Sequence, residues 1–232
     1  YRSDVIEFSG NGGNDYFSIA AGAFDILGSV RIYGGAGDDK ILVGQIQGAN
    51  GALNEIDGGD GDDRIIVQAS DGKTGYFGNG VLPIYGGSGN DQIEIQGLGF
   101  NVLGAAINIV DGGSGFDTFI WNGQYDLNRN TDQTGVDLAN SELPFEIGAV
   151  NFERLLINAS ENGQPIVLGA ADVSEISNGS DFDRAQIGLG QSGVGNTLIV
   201  SKGDKAALLD LSGWTLLGTT SWDAFAGYQV YE

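Results

Sequence analysis

The chain has 232 residues, 31 of them acidic against 10 basic with no His, for a formal net charge of −21 at pH 7. That sign excludes nucleic acid and anionic lipid headgroups as natural partners and makes cations the counterpart, while the absence of Cys excludes disulfides, thiolate metal sites and cysteine nucleophiles. The 41 glycines stand beside plentiful aliphatic and aromatic residues, so a core can be packed and glycine must occupy chosen backbone positions.

The length suits one large all-β domain or two smaller units sharing a core. No apolar run approaches the length of a membrane-spanning helix, so direct membrane insertion is not expected. The chain opens on Tyr1 with no initiating Met, and the expectation is an interior piece or a processed product.

In chain order, the first predicted element is an imperfect glycine turn, Gly10-Asn11-Gly12-Gly13-Asn14-Asp15, followed by a strand through Phe17 and Ile19. The unit returns as Gly34-Gly35-Ala36-Gly37-Asp38-Asp39 with Ile41 and Val43, and as Gly58-Gly59-Asp60-Gly61-Asp62-Asp63 with Ile65 and Val67. It returns again as Gly86-Gly87-Ser88-Gly89-Asn90-Asp91 with Ile93 and Ile95, and as Gly112-Gly113-Ser114-Gly115-Phe116-Asp117 with Phe119 and Trp121. The final Asp of each copy falls at 15, 39, 63, 91 and 117, and a step near 24 residues is one coil of a solenoid. Apolar residues at alternate positions after each Asp mark a strand with one face inward. A β-branched residue (Ile32, Ile56, Ile84 or Val110) precedes each full copy. Each coil therefore reads strand, glycine turn, strand, variable return.

A tight turn with converging carbonyls needs positive φ, which glycine adopts at little cost. The Asp adds charge. In coils stacked about 4.8 Å apart the carboxylates form a column in which each neighbouring pair repels by roughly 3 kcal/mol at an effective dielectric near 20. A hard divalent cation between turns removes that repulsion and is satisfied by about six to eight carboxylate and carbonyl oxygens, a coordination that suits Ca²⁺ better than Mg²⁺. Calcium is the expected ion.

The pattern GGxGxD-x-U-x, with U apolar, resembles the repeat that defines the RTX family, at 34–43, 58–67, 86–95 and 112–121. The resemblance implies secretion through a type I apparatus, folding triggered by extracellular calcium, and ions held by motif carboxylates and backbone carbonyls of adjacent turns. On that reading Asp15, Asp39, Asp63, Asp91 and Asp117 supply carboxylates. Gly34, Ala36 and Asp38, Gly58, Asp60 and Asp62, Gly86, Ser88 and Asn90, and Gly112 and Ser114 are the further metal-site residues. The side chains of Asn14, Asp38, Asp62 and Asn90 then face solvent or bridge waters. The departures are one motif per long coil where tandem arrays repeat every nine residues, which implies a single calcium column along one edge, and Asn11 and Phe116 at the two ends.

From 126 to 149 the pattern stops and a long loop is expected. Beyond it, 150–157, 165–168, 197–200, 206–211 and 228–231 read as strands, with a short helix at 170–177. The series from Val150 to Tyr231 resembles a segment that follows GGxGxD runs in very large secreted adhesins. The division is then 1–125 for the calcium-binding coils, 126–149 for the loop, and 150–232 for a β-rich continuation that caps the stack.

No His, Cys, Gly-x-Ser-x-Gly or HExxH motif supports catalysis, and the chain is read as not an enzyme. Trp121 with Tyr125, Tyr76 with Phe77, and Trp214 with Trp222 are candidate sugar platforms, weighed against core packing and capping. No Thr or Asn ladder of the kind that binds ice is present, since the third turn position reads Ala36, Asp60, Ser88, Ser114. The expected architecture is all-β, a right-handed parallel β-helix or β-roll with one calcium-binding glycine turn per coil. The expected function is a structural calcium-binding module of a secreted or cell-surface bacterial protein, adhesin-like, with a surface glycan or a host or biofilm component as a further partner. The alternative is a carbohydrate-binding accessory module of a secreted polysaccharide-active enzyme.

Overall fold

The computed structural model describes residues 5–19, 25–26, 29–44, 47–48, 54–68, 83–96, 108–122, 147–157, 166–167, 176–177, 199–202, 209–210, 216–219 and 229–231. Nineteen strands run along them. In the first half these are β1 (Val5–Ser9), β2 (Tyr16–Ile19), β3 (Asp25–Ile26), β4 (Ser29–Ala36), β5 (Lys40–Val43), β6 (Gln47–Gly48), β7 (Glu55–Asp60), β8 (Arg64–Gln68), β9 (Ile84–Ser88), β10 (Gln92–Gln96), β11 (Asn108–Ser114) and β12 (Thr118–Asn122). In the second they are β13 (Ile147–Val150), β14 (Arg154–Ile157), β15 (Ile166–Val167), β16 (Ile199–Lys202), β17 (Leu209–Asp210), β18 (Leu216–Thr219) and β19 (Gln229–Tyr231).

The strands before the glycine turns make one parallel sheet in the order β1-β4-β7-β9-β11-β13, and those after the turns make a second, β2-β5-β8-β10-β12-β14-β16. Every neighbouring pair in both sheets is parallel. The polypeptide therefore advances one strand in each sheet per coil, as a parallel β-solenoid does. A short parallel pair, β3 with β6, lies on the return side of the first two coils, and two further two-stranded sheets, β15-β17 and antiparallel β18-β19, lie in the last third.

The core consists of side-chain columns that follow from the register. In the first sheet Phe8, Ile32, Ile56, Ile84, Val110 and Ala149 stand in line. In the second, Phe17, Ile41, Ile65, Ile93, Phe119 and Leu155 do. All but Phe8 and Phe17, at the N-terminal end, are essentially inaccessible. Stacking identical β-branched side chains suits the pleat, and each burial stabilises by about 1.5–3 kcal/mol. Alternation predicted a single buried face, yet Ile66 and Ile120, on the opposite side of their strands, are buried as well. Glu94 pairs between them and is buried, its carboxylate 3.3 Å from Arg64 Nη2.

The strand expected at 150–157 is broken at 151–153 by Asn151, whose φ is 58°. The chain turns there from the first sheet into the second. Of the expected helix at 170–177 only 176–177 are described, and Ile176 is fully buried, its carbonyl accepting from Phe152 N. Of the loop expected at 126–149, residues 147–149 belong instead to β13, which continues the first sheet by pairing with β11; the rest of it and the aromatic groups Tyr76, Phe77, Tyr125, Trp214 and Trp222 lie outside the described residues.

Candidate metal column

The turns stack so tightly that glycine is required by space as well as by φ. Gly35, Gly59, Gly87 and Gly113, at the second turn position, have φ between 99° and 114°, and a Cβ on any of the last three would overlap the carbonyl oxygen of the equivalent glycine one coil earlier. Asn11 fills this position in the first described turn with φ 69°, a conformation Asn tolerates better than other non-glycine residues. The fourth position, Gly13 to Gly115, is likewise left-handed throughout.

Behind the glycines the Asp side chains form a ladder. Asp15 N donates to Asp39 Oδ1, Asp39 N to Asp63 Oδ1, Asp63 N to Asp91 Oδ1 and Asp91 N to Asp117 Oδ1, all at 2.7–2.8 Å. Each Asp is thus held by one oxygen to the coil before it. The second oxygen, Oδ2 of Asp15, Asp39, Asp63, Asp91 and Asp117, is buried without a hydrogen-bond partner. Each Oδ2 lies beside its own coil's first glycine, where the carbonyl oxygen of the next coil's Gly34, Gly58, Gly86 or Gly112, or of Asn151 after the last turn, also converges. One column of carboxylate and carbonyl oxygens runs the length of the stack.

Burial pushes the carboxyl of Asp63 up to about 6 and those of Asp91 and Asp117 to about 7. The bond from the preceding coil's amide opposes this, and the neighbouring carboxylates add to it. Bare, these three carboxyls resist ionisation; a cation beside them would reverse that.

The fifth position behaves differently from the sequence expectation. Asn14, Asp38, Asp62 and Asn90 are exposed, yet each does more than meet solvent. Asn14 Oδ1 accepts from Asp38 N, Asp38 Oδ1 from Asp62 N, Asp62 Oδ1 from Asn90 N and Asn90 Oδ1 from Phe116 N, at 2.7–3.0 Å. This outer ladder points its acceptors toward the C-terminal end, opposite to the inner one. Every junction between glycine turns is therefore pinned in both directions. Phe116 receives the last of these bonds and has no side-chain acceptor to pass on.

At the third position the carbonyls of Ala36, Asp60, Ser88 and Ser114 accept from Gly13, Gly37, Gly61 and Gly89 N at 2.7–2.9 Å, so one lone pair of each serves coil stacking. Ser88 Oγ also donates to Asp60 Oδ1 at 2.7 Å. The structure thus brings Asp15, Asp39, Asp63, Asp91 and Asp117 together with the first-position carbonyls, while the Asp38, Asp62 and Asn90 side chains line a separate outer row.

The residue that sequence reasoning missed is Glu153. Pairing of Thr118 with Arg154 sets Glu153 beside Asp117, and its Oε2 accepts from Asp117 N at 2.5 Å, the bond each later Asp makes to the one before. It is 1% exposed. A signal was present: Glu153-Arg154-Leu155-Leu156-Ile157 repeats the acid, base and three aliphatics of Asp63-Arg64-Ile65-Ile66-Val67. It was hidden because no GGxG precedes it.

The donor set fits a hard cation. It contains only oxygen, each junction holds a buried and unpartnered carboxylate oxygen, and carbonyls supply neutral ligands without further repulsion. Among the described residues no three acidic side chains converge as a cluster of their own, as expected where one carboxylate enters per coil and the backbone supplies the rest. Compared with protein families, the chain matches the RTX calcium-binding nonapeptide repeat in four copies, over residues 27–45, 49–71 and 84–94. No curated protein and no solved structure matches it. The glycine turns at Gly34, Gly58 and Gly86 thus lie in stretches that match the RTX calcium-binding nonapeptide repeat.

Proposed function

We propose that this chain is a structural module of a secreted or cell-surface bacterial protein, adhesin-like in its parent, whose coils assemble when extracellular calcium fills the turn column. The observation that carries the reading is the row of five buried Asp Oδ2 atoms without hydrogen-bond partners, each beside a carbonyl of the next coil. A buried unpaired carboxylate oxygen is costly, and a repeat that keeps five in line is built for a ligand that neutralises them. In this reading Asp15, Asp39, Asp63, Asp91 and Asp117 give carboxylate oxygens, and Gly34, Gly58, Gly86 and Gly112 give carbonyls. The carbonyls of Ala36, Asp60, Ser88 and Ser114 and of Asp38, Asp62 and Asn90 complete the shells. Residues 1–125 form the calcium-binding coils, 126–146 a connecting stretch, and the continuation and cap run from β13 at Ile147 to residue 232.

Bound calcium supplies charge neutralisation and cross-links successive coils; the role is structural rather than catalytic. At cytosolic calcium, folding would bury these carboxylates against desolvation and their mutual repulsion with no cation to offset either, which keeps the chain unfolded for export. At millimolar calcium outside the cell, sites of about 0.1–1 mM affinity fill, and folding and binding become one event. Far-ultraviolet circular dichroism from chelator to 10 mM Ca²⁺ tests this, with Mg²⁺ as control. A cooperative gain of β signal with Ca²⁺ alone is expected; the same cooperative fold in chelator would overturn the reading.

A further inference from the structure

The five glycine turns make four junctions, Asp15/Asp39, Asp39/Asp63, Asp63/Asp91 and Asp91/Asp117. We propose that the stack carries one more divalent-cation site, between the fifth turn and the turnless rung 150–153, built on Asp117, Glu153 and the Asn151 carbonyl. This inference rests on the calcium reading of the column and extends it to residues that carry no glycine motif.

The argument is recurrence of the same atoms. At every motif junction the first glycine of one coil is flanked by its own coil's Asp Oδ2 and by the next coil's first-position carbonyl oxygen, as Gly34 is by Asp39 Oδ2 and Gly58 O. Gly112 is flanked in the same way by Asp117 Oδ2 and by Asn151 O. Asp117 is fully buried and its Oδ2 has no hydrogen-bond partner, so a buried anionic oxygen is aimed at this junction as at the others. The third element of each junction, the next coil's carboxylate bound to the Asp N–H, is here Glu153 Oε2.

Asn151 follows Val150, the partner of Asp111, and so stands level with Gly112. Its φ of 58° is left-handed, and its Nδ2 donates to Asp111 Oδ1 at 2.6 Å, an oxygen that also accepts from Gly113 N at 3.0 Å. The Asn side chain thereby fixes the rung's carbonyl against the fifth turn. Among the described residues the column goes no further. Ile199 pairs with Arg154, and the residue before Ile199 is Leu198, which offers no carboxylate. The Glu153 N–H turns back instead to Asp117 O at 3.3 Å.

The test is a crystal structure of the calcium-loaded chain with a long-wavelength anomalous difference map. The expected result is a peak between Asp117 and Glu153 in addition to peaks at the four motif junctions. Peaks at the motif junctions with none beside Asn151 O would overturn this inference and leave the calcium reading intact; no peak in the column would overturn both. In solution, native mass spectrometry of Glu153→Gln, which keeps an acceptor for Asp117 N while removing the charge, is expected to count one ion fewer than the wild type at saturation. An unchanged count in a folded variant would refute the assignment.

Discussion

At the residue scale, the turn is dictated by what glycine lacks. Gly59 has φ 107° and its missing Cβ is the space taken by the Gly35 carbonyl, so Gly59→Ala incurs about 1–2 kcal/mol for the left-handed backbone and an overlap with main chain that cannot move aside. Denaturant unfolding in saturating calcium is expected to show a loss larger than that backbone cost. Asn11→Gly, at a position with φ 69° in the first described turn, is expected to change stability by less than about 1 kcal/mol. Equal effects at the two positions would show that conformation rather than stacking selects the glycines. The Asp of each turn has two separable roles, since Oδ1 holds the preceding coil's amide and Oδ2 faces the column. Asp63→Asn keeps an acceptor for Asp39 N and removes one charge. It is therefore expected to raise β content in chelator while increasing the calcium concentration needed for half-saturation severalfold. A variant less folded than the wild type in chelator would mean that repulsion in the column is not what opposes the fold. This much was legible in sequence, because glycine and Asp recur at fixed spacing. The second function of the fifth position was not, because a hydrogen bond from Asp62 N to Asp38 Oδ1 spans two coils and leaves no local signature.

At the element scale, two antiparallel sets of side-chain acceptors fasten one turn to the next, and the ends of the stack show how each set is closed. The outer ladder ends on Phe116 N, which explains why an apolar residue is tolerated where Asn or Asp stands in the other turns. Asn90→Ala deletes the last outer acceptor at an exposed position and is expected to cost about 0.5–1.5 kcal/mol, seen as a lower unfolding midpoint with an unchanged number of bound ions. Loss of an ion would place that row in the metal shell instead. The inner face closes on aromatic packing, with the Phe119 and Phe152 rings 5.3 Å apart and Phe152 N bonded to Ile176 O. Phe152 is fully buried, and Phe152→Ala is expected to cost about 3–5 kcal/mol, measured by equilibrium unfolding in calcium. The sequence announced the strands that follow GGxGxD but not the sixth rung, since Asn151 and Glu153 do the turn's work with three fewer residues between first-position carbonyl and carboxylate than Gly112 and Asp117 use. Short strands such as β18 escaped notice because Leu216–Thr219 carries too little alternation to stand out from its surroundings.

At the scale of the whole molecule, the same column sets how folding answers to pH and to calcium. Asp63, Asp91 and Asp117 have carboxyls raised to about 6, 7 and 7 from an ordinary value of 3.8, first because burial disfavours the charged form. A folded-state value above the unfolded one means that the folded, ion-free chain binds more protons than the unfolded chain between these limits. The contribution of these groups to stability is therefore fully present below about pH 3.8 and is lost as pH rises through about 7. Calcium needs the carboxylates bare, so it and protons compete for one column. Two outcomes follow from the sign. The calcium concentration at half-folding should rise as pH is raised from about 5 to 8, because only the ion-free fold holds these protons, and calcium entering ion-free folded chain near pH 6.5 should release protons, measurable by calorimetry in buffers of different ionisation enthalpy. A half-folding concentration that falls over this range would mean that protonation of the buried Asp oxygens does not support the ion-free fold. The net charge of −21 acts in the same direction, since self-repulsion of the ion-free chain grows as its carboxyls ionise, and high salt should weaken that part of the response without abolishing the step caused by calcium.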